Sequence, residues 1–188
     1  SDATYGSENV WTNYEAVYHF DNESTADSTS NSNDLTENAA WSDTSSNSPP
    51  FGSTALKNDS ASNMLYNTSM SGLAWPDYTV SYYSRPTWPA NNNRAMKFYL
   101  GDSGGNARNG FGVYWAFDND EEFAQYNTTA GGFSPNLDQS RVSNTWQHDF
   151  ITVEGGAQEW YRNGSLVEAG TTANSKTDSL TYFYINEY

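Results

Sequence analysis

Trp146-Gln147-His148-Asp149-Phe150-Ile151-Thr152-Val153-Glu154 runs into Gly155-Gly156. Gln158-Glu159-Trp160-Tyr161-Arg162 follows, then Asn163-Gly164 and Leu166-Val167-Glu168. Both long stretches carry β-branched and aromatic residues between turn formers, the pattern of a strand. Asn163-Gly164 fits the two central residues of a type I′ turn, both of which need positive φ, and therefore predicts a tight antiparallel corner.

The same period-2 alternation, bounded by Gly, Asn, Asp, Ser and Pro, recurs at Glu15–Asp21, Asp77–Ser84, Arg94–Leu100, Gly112–Phe117 and Leu180–Ile185. In the second of these, Tyr78, Val80 and Tyr82 share one face, leaving Thr79, Ser81 and Tyr83 on the other. No sustained 3.6-residue apolar stripe appears, so helix is a minor component. The polar stretches Ser24–Pro50 and Ala130–Ser143 are expected to be loops and candidate ligand surfaces. The expected fold is an all-β, two-sheet antiparallel β-sandwich over residues 13–188, with residues 1–12 a linker or the tail of a preceding domain.

Composition narrows the function. Seven Trp and fourteen Tyr in 188 residues provide apolar area for a core without disulfides, and there is no cysteine. Eight basic against 23 acidic residues give a net charge of -15, which repels nucleic acid and anionic membranes. No apolar run is long enough to span a bilayer. Zinc would have only His19, His148 and carboxylates to bind, and Gly101-Asp102-Ser103-Gly104-Gly105 lacks the lysine that phosphate cradling uses.

Four segments, in order, carry a family likeness. Glu15-Ala16-Val17-Tyr18-His19-Phe20-Asp21 leads into the turn Ala26–Asp34. Asp77–Pro86, Trp146–Gly156 and Glu159–Val167 follow. Together they resemble laminin-G-like, concanavalin A-like jelly-roll modules of large secreted or surface proteins. The resemblance implies a jelly roll and places both histidines within strands. Two departures stand out. The family's closing Gly-x-Ile-Asp-Glu-Val-Arg-Ile-Tyr strand has no counterpart before Tyr188, so the sandwich is expected to lack or borrow its last strand. Asp149 stands where the family carries an apolar residue.

Asp27, Asn31, Asn33 and Asp34 form the candidate calcium site, because hard cations take six to eight oxygen ligands of this kind. The resemblance supplies most of the support, since Asp, Asn and Ser also favour turns by bonding their own backbone. Trp88, with Asn91, Asn92, Asn93 and Trp75, is the candidate sugar-binding group: indoles beside turn residues can stack on a pyranose while amides fix its hydroxyls. Asp118-Asn119-Asp120-Glu121-Glu122 reads as an acidic loop after strand Gly112–Phe117 rather than the single-strand Glu-x-Asp-x-x-Glu of glucanases sharing this sandwich.

These features imply a non-catalytic carbohydrate-binding or adhesion module, extracellular or at a cell surface, whose partner is a carbohydrate or glycoconjugate. Two alternatives stay open: a structural or protein-binding domain that docks neighbouring domains or subunits of a surface assembly, and a glycan-cleaving enzyme.

Overall fold

The computed structural model describes residues 11–20, 24–38, 42–44, 50, 55–57, 64–70, 77–85, 96–101, 109–115, 120–127, 132–140, 144–171 and 181–185. Among these it contains thirteen strands and no helix. The strands are β1 (Thr36–Glu37), β2 (Ser42–Thr44), β3 (Ala55–Lys57), β4 (Leu65–Asn67), β5 (Tyr78–Ser84), β6 (Met96–Gly101), β7 (Asn109–Trp115), β8 (Asp120–Asn127), β9 (Gly132–Ser140), β10 (Gln147–Glu154), β11 (Ala157–Arg162), β12 (Ser165–Thr171) and β13 (Tyr182–Ile185).

They form a four-stranded sheet, β12-β11-β10-β5, a seven-stranded sheet, β1-β4-β13-β6-β7-β8-β9, and a small β2-β3 pair. The pairings are antiparallel. The expected two-sheet antiparallel sandwich is the fold.

Strand β10 shows why. Gln147, Asp149, Ile151 and Val153 are buried, whereas the residues between them are half-buried and Glu154 is exposed. Ile151, Val153 and Trp160 of the smaller sheet meet Phe98, Leu100 and Val113 of the larger one to make the core. Burying each large apolar side chain contributes about 1.5–3 kcal/mol, so the inner faces hold the two sheets together. Asn163 (φ 51°) and Gly164 (φ 82°) both have positive φ, as the turn between β11 and β12 requires.

Four expectations about elements need correction. The stretch Ser24–Pro50 is not all loop, because strands β1 and β2 lie within it. Residues 15–20 are not a strand. The Val17 N–H donates to Asp27 Oδ1 at 2.9 Å and the Val17 carbonyl accepts from Ser28 N at 2.8 Å, so these backbone groups are satisfied by the following turn rather than by a ladder. Most of Ala130–Ser143 is not loop but strand β9. It lies at the edge of the larger sheet, where Pro135, which has no N–H to donate, is tolerated, and the pairing with β8 is irregular nearby. The acidic run likewise enters strand β8 at Asp120: Glu121 pairs with Trp115 and Glu122 with Tyr114. Pairing on both sides overrides the weak strand propensity of the acids.

Candidate functional site

The outer face of the four-stranded sheet carries the candidate site. Cross-strand register builds it in rows. Tyr83 of β5 lies opposite His148 of β10, Ser81 lies opposite Phe150, and Thr79 opposite Thr152. On the other side of β10, Phe150 pairs with Tyr161 and Thr152 with Glu159; Tyr161 then pairs with Leu166 of β12. Side chains directly opposite on one face of a sheet lie close enough to interact, so register alone assembles an aromatic strip flanked by polar groups.

The contacts along the strip are specific. Tyr83 and His148 stack with their ring centroids 4.3 Å apart and their planes 7° from parallel. His148 Nε2 and Ser81 Oγ are hydrogen-bonded at 2.8 Å, tying the imidazole to β5 a second time. Phe150 and Tyr161 meet edge-on, 6.2 Å apart at 68°. The Tyr161 hydroxyl donates to Glu159 Oε2 at 2.7 Å. That hydrogen bond, with smaller effects of burial and of the Glu159 charge, raises the Tyr161 pKa above the usual phenol value. Tyr83 is 43% exposed and Leu166 52%, so the strip is open to solvent.

The opposite face of the same strands holds this platform still. Asp149, between His148 and Phe150, is fully buried, and its Oδ1 accepts from Trp160 Nε1 at 2.9 Å and Arg162 Nε at 2.8 Å. The Arg162 guanidinium also lies 5.1 Å from the centroid of the Trp160 ring. Asn163 clamps the end of the hairpin, with its Oδ1 accepting from His148 N and its N–H donating to the His148 carbonyl.

A second aromatic row crosses the larger sheet, where Tyr66, Tyr184 and Tyr99 are successive register partners. A Cβ at Gly101 would collide with the Tyr99 ring, so that glycine gives the phenol its place on the sheet. Tyr99 is 2% exposed and Tyr184 9%, which removes their ring faces from any ligand.

The turn proposed for calcium is well defined. Asp27 accepts four hydrogen bonds: Oδ1 from the N–H groups of Val17 and Thr29, Oδ2 from Thr29 Oγ1 and Asn33 N. A carboxylate has about four lone-pair sites, and these donors fill them. Asn31 and Asn33 direct their Nδ2 groups to the Glu15 carbonyl, and Asp34 Oδ1 accepts from Asp27 N. The four residues are thus together, but arranged as a self-closed turn that anchors the chain before it; a cation would have to displace N–H donors to reach Asp27. Among the described residues, no three His, Asp or Glu side chains are grouped to hold a metal.

Trp75, Trp88, Asn91, Asn92 and Asn93 lie outside the described residues, as do residues 1–10. His148 is hydrogen-bonded and stacked, whereas His19 is exposed beside Trp11. Tyr83, Phe150, Glu159 and Tyr161 were not among the residues singled out by sequence. Alternation within β5 does put Tyr83 on the outward face, but which residues stand opposite it depends on register.

No protein-family model matches the chain, and no curated protein does. Among solved structures, the chain is similar to domain 4 of AbnA, a GH43 extracellular arabinanase from Geobacillus stearothermophilus, solved in complex with arabinotriose. The TM-score is 0.70 at 17% identity, covering 91% of this chain and 82% of that one. It is also similar to the botulinum neurotoxin serotype D binding domain, with a TM-score of 0.64 at 11% identity, covering 87% of this chain and 40% of that one. At these identities the likeness is one of fold: two independent solved structures share the sandwich.

Proposed function

We propose that the protein is a carbohydrate-binding module that acts without catalysis, outside the cell or at its surface, and that the outer face of the β12-β11-β10-β5 sheet is its binding surface. The observation that carries the reading is the solvent-facing strip Tyr83, His148, Phe150 and Tyr161 with Ser81 and Glu159 at its margins. Sugars present apolar C–H faces and polar rims, so they are held by aromatic surfaces with a few fixed hydrogen-bonding groups, and a rigid sheet supplies both without an ordering cost. The AbnA domain with a similar fold was solved with arabinotriose, which supports a sugar as the ligand class.

The test is a broad glycan array, followed by titration of the best oligosaccharide against Tyr83→Ala and Tyr161→Ala. Binding that weakens in both variants supports the reading. Silence across the array, or binding untouched by both substitutions, overturns it.

A further inference from the structure

Resting on that reading, we propose that the face selects sugars bearing a free amine over their N-acetylated and anionic counterparts, through Glu159 and the corner formed by Phe150 and Tyr161. Three observations converge on this part of the strip.

The Glu159 carboxylate is fixed by the Tyr161 hydroxyl at 2.7 Å, so its position is set before any ligand arrives. The Phe150 and Tyr161 rings meet at 68°, making a corner in which an ammonium group faces one ring while its C–H neighbours pack on the other. A cation over an aromatic face is attracted by the ring quadrupole, and the adjacent carboxylate adds a charge-assisted hydrogen bond. Finally, the four strands contain one Arg and no Lys, and that residue, Arg162, is buried on the inner face with Asp149. Glu154 is exposed at the far end of β10 beyond Thr152, the register partner of Glu159, so the same face carries a second negative charge. Arg85, just past the Tyr83 end of β5, donates its Nε to the Asn144 carbonyl at 3.1 Å and lies at the other end of the strip from Glu154, so a uronate or sialic acid seated at Glu159 would meet these carboxylates, on a chain of net charge -15. An amino sugar meets complementary charge.

The experiment is calorimetric titration at low salt with short glucosamine oligomers, their N-acetylated equivalents of the same length, and a galacturonic acid oligomer. The amine form should bind about 3- to 30-fold more tightly than the acetylated form, and the uronate more weakly than either. Glu159→Gln should erase the preference, whereas Glu37→Gln, which removes the same charge from the other sheet, should leave it unchanged. Raising the salt concentration should shrink it.

Equal binding of amine and acetylated forms would overturn the inference and leave the carbohydrate reading standing. So would an equal loss of preference in Glu37→Gln, because diffuse charge would then be the cause. If no oligosaccharide of any kind binds, both fall.

Discussion

Asp149 and Arg162 are register partners across β10 and β11, joined inside the core by a 2.8 Å contact between Oδ1 and Nε, with the side chains 0% and 8% exposed. The Trp160 indole N–H shares the same oxygen, so two core-facing donors of one hairpin converge on a single carboxylate. The apolar residue expected at position 149 is replaced by a charge because position 162 carries its complement.

Removing only Asp149 takes a charged acceptor away from a buried guanidinium and from an indole N–H. Asp149→Ala should therefore cost about 3–5 kcal/mol, which is roughly 6–20 °C in melting temperature for a chain of this size. Replacing both partners, as in Asp149→Leu with Arg162→Met, should come close to the parent. Urea unfolding of the three proteins checks this; a double variant as unstable as the single one would show that the pair does more than neutralise itself.

Gln158, in the same core, is fully buried, and neither its Oε1 nor its Nε2 has a hydrogen-bond partner among the described residues. An unsatisfied buried amide costs about 1–3 kcal/mol. Gln158→Met keeps the shape and removes the polar atoms, so it should raise the melting temperature by roughly 2–12 °C. A lower melting temperature would mean that the amide is satisfied in solution.

Gly164 has φ +82° and open space where a Cβ would stand. Gly164→Ala should therefore cost about 1–2 kcal/mol through backbone conformation alone. Because Asn163 ties this turn to His148, sugar affinity is expected to fall along with stability. Denaturant unfolding and titration of the same variant read both effects.

Burial pushes the Asp27 carboxyl pKa up, but hydrogen bonds from Val17, Thr29 and Asn33 outweigh it and leave the value below the usual one. A depressed folded-state pKa gives stability that is present above the unfolded value, near 3.9, and is lost as pH falls through the folded one. Asp27→Asn should therefore flatten the acid limb of the stability profile. Since N–H and O–H donors occupy the carboxylate, the melting temperature is expected to be the same in chelator and in millimolar calcium. A calcium-dependent rise of about 5–11 °C would show that the ion displaces those donors.

Tyr83 and His148 stack on each other at the exposed end of the strip. Substituting either with alanine removes an aromatic surface worth about 0.5–1.5 kcal/mol, so oligosaccharide affinity should drop by roughly 2- to 13-fold with the far-ultraviolet signal unchanged. Titration beside circular dichroism separates lost contact from lost fold.

By itself the sequence determined the class of fold, because alternation and turn chemistry are local. Trp146–Glu154 and Gln158–Arg162 could be read as strands, and Asn163-Gly164 as their tight return, from the period of the side chains and the positive φ that the turn demands. The tertiary structure decided what no local pattern encodes. Pro135 and the acids at Asp120–Glu122 discourage a strand locally, yet the acids lie in β8 because neighbouring strands satisfy their backbone groups, and Pro135 lies in β9 because that strand is at the sheet edge and its pairing is irregular there. Glu15–Phe20 alternates like a strand, yet its backbone at Val17 is satisfied by Asp27 and Ser28. The candidate site is of the second kind. His148, Phe150 and Tyr161 lie on the adjacent strands of one hairpin, but Tyr83 lies on β5, which ends at Ser84, far before β10 begins at Gln147, and only the register between the strands brings all four rings onto one surface.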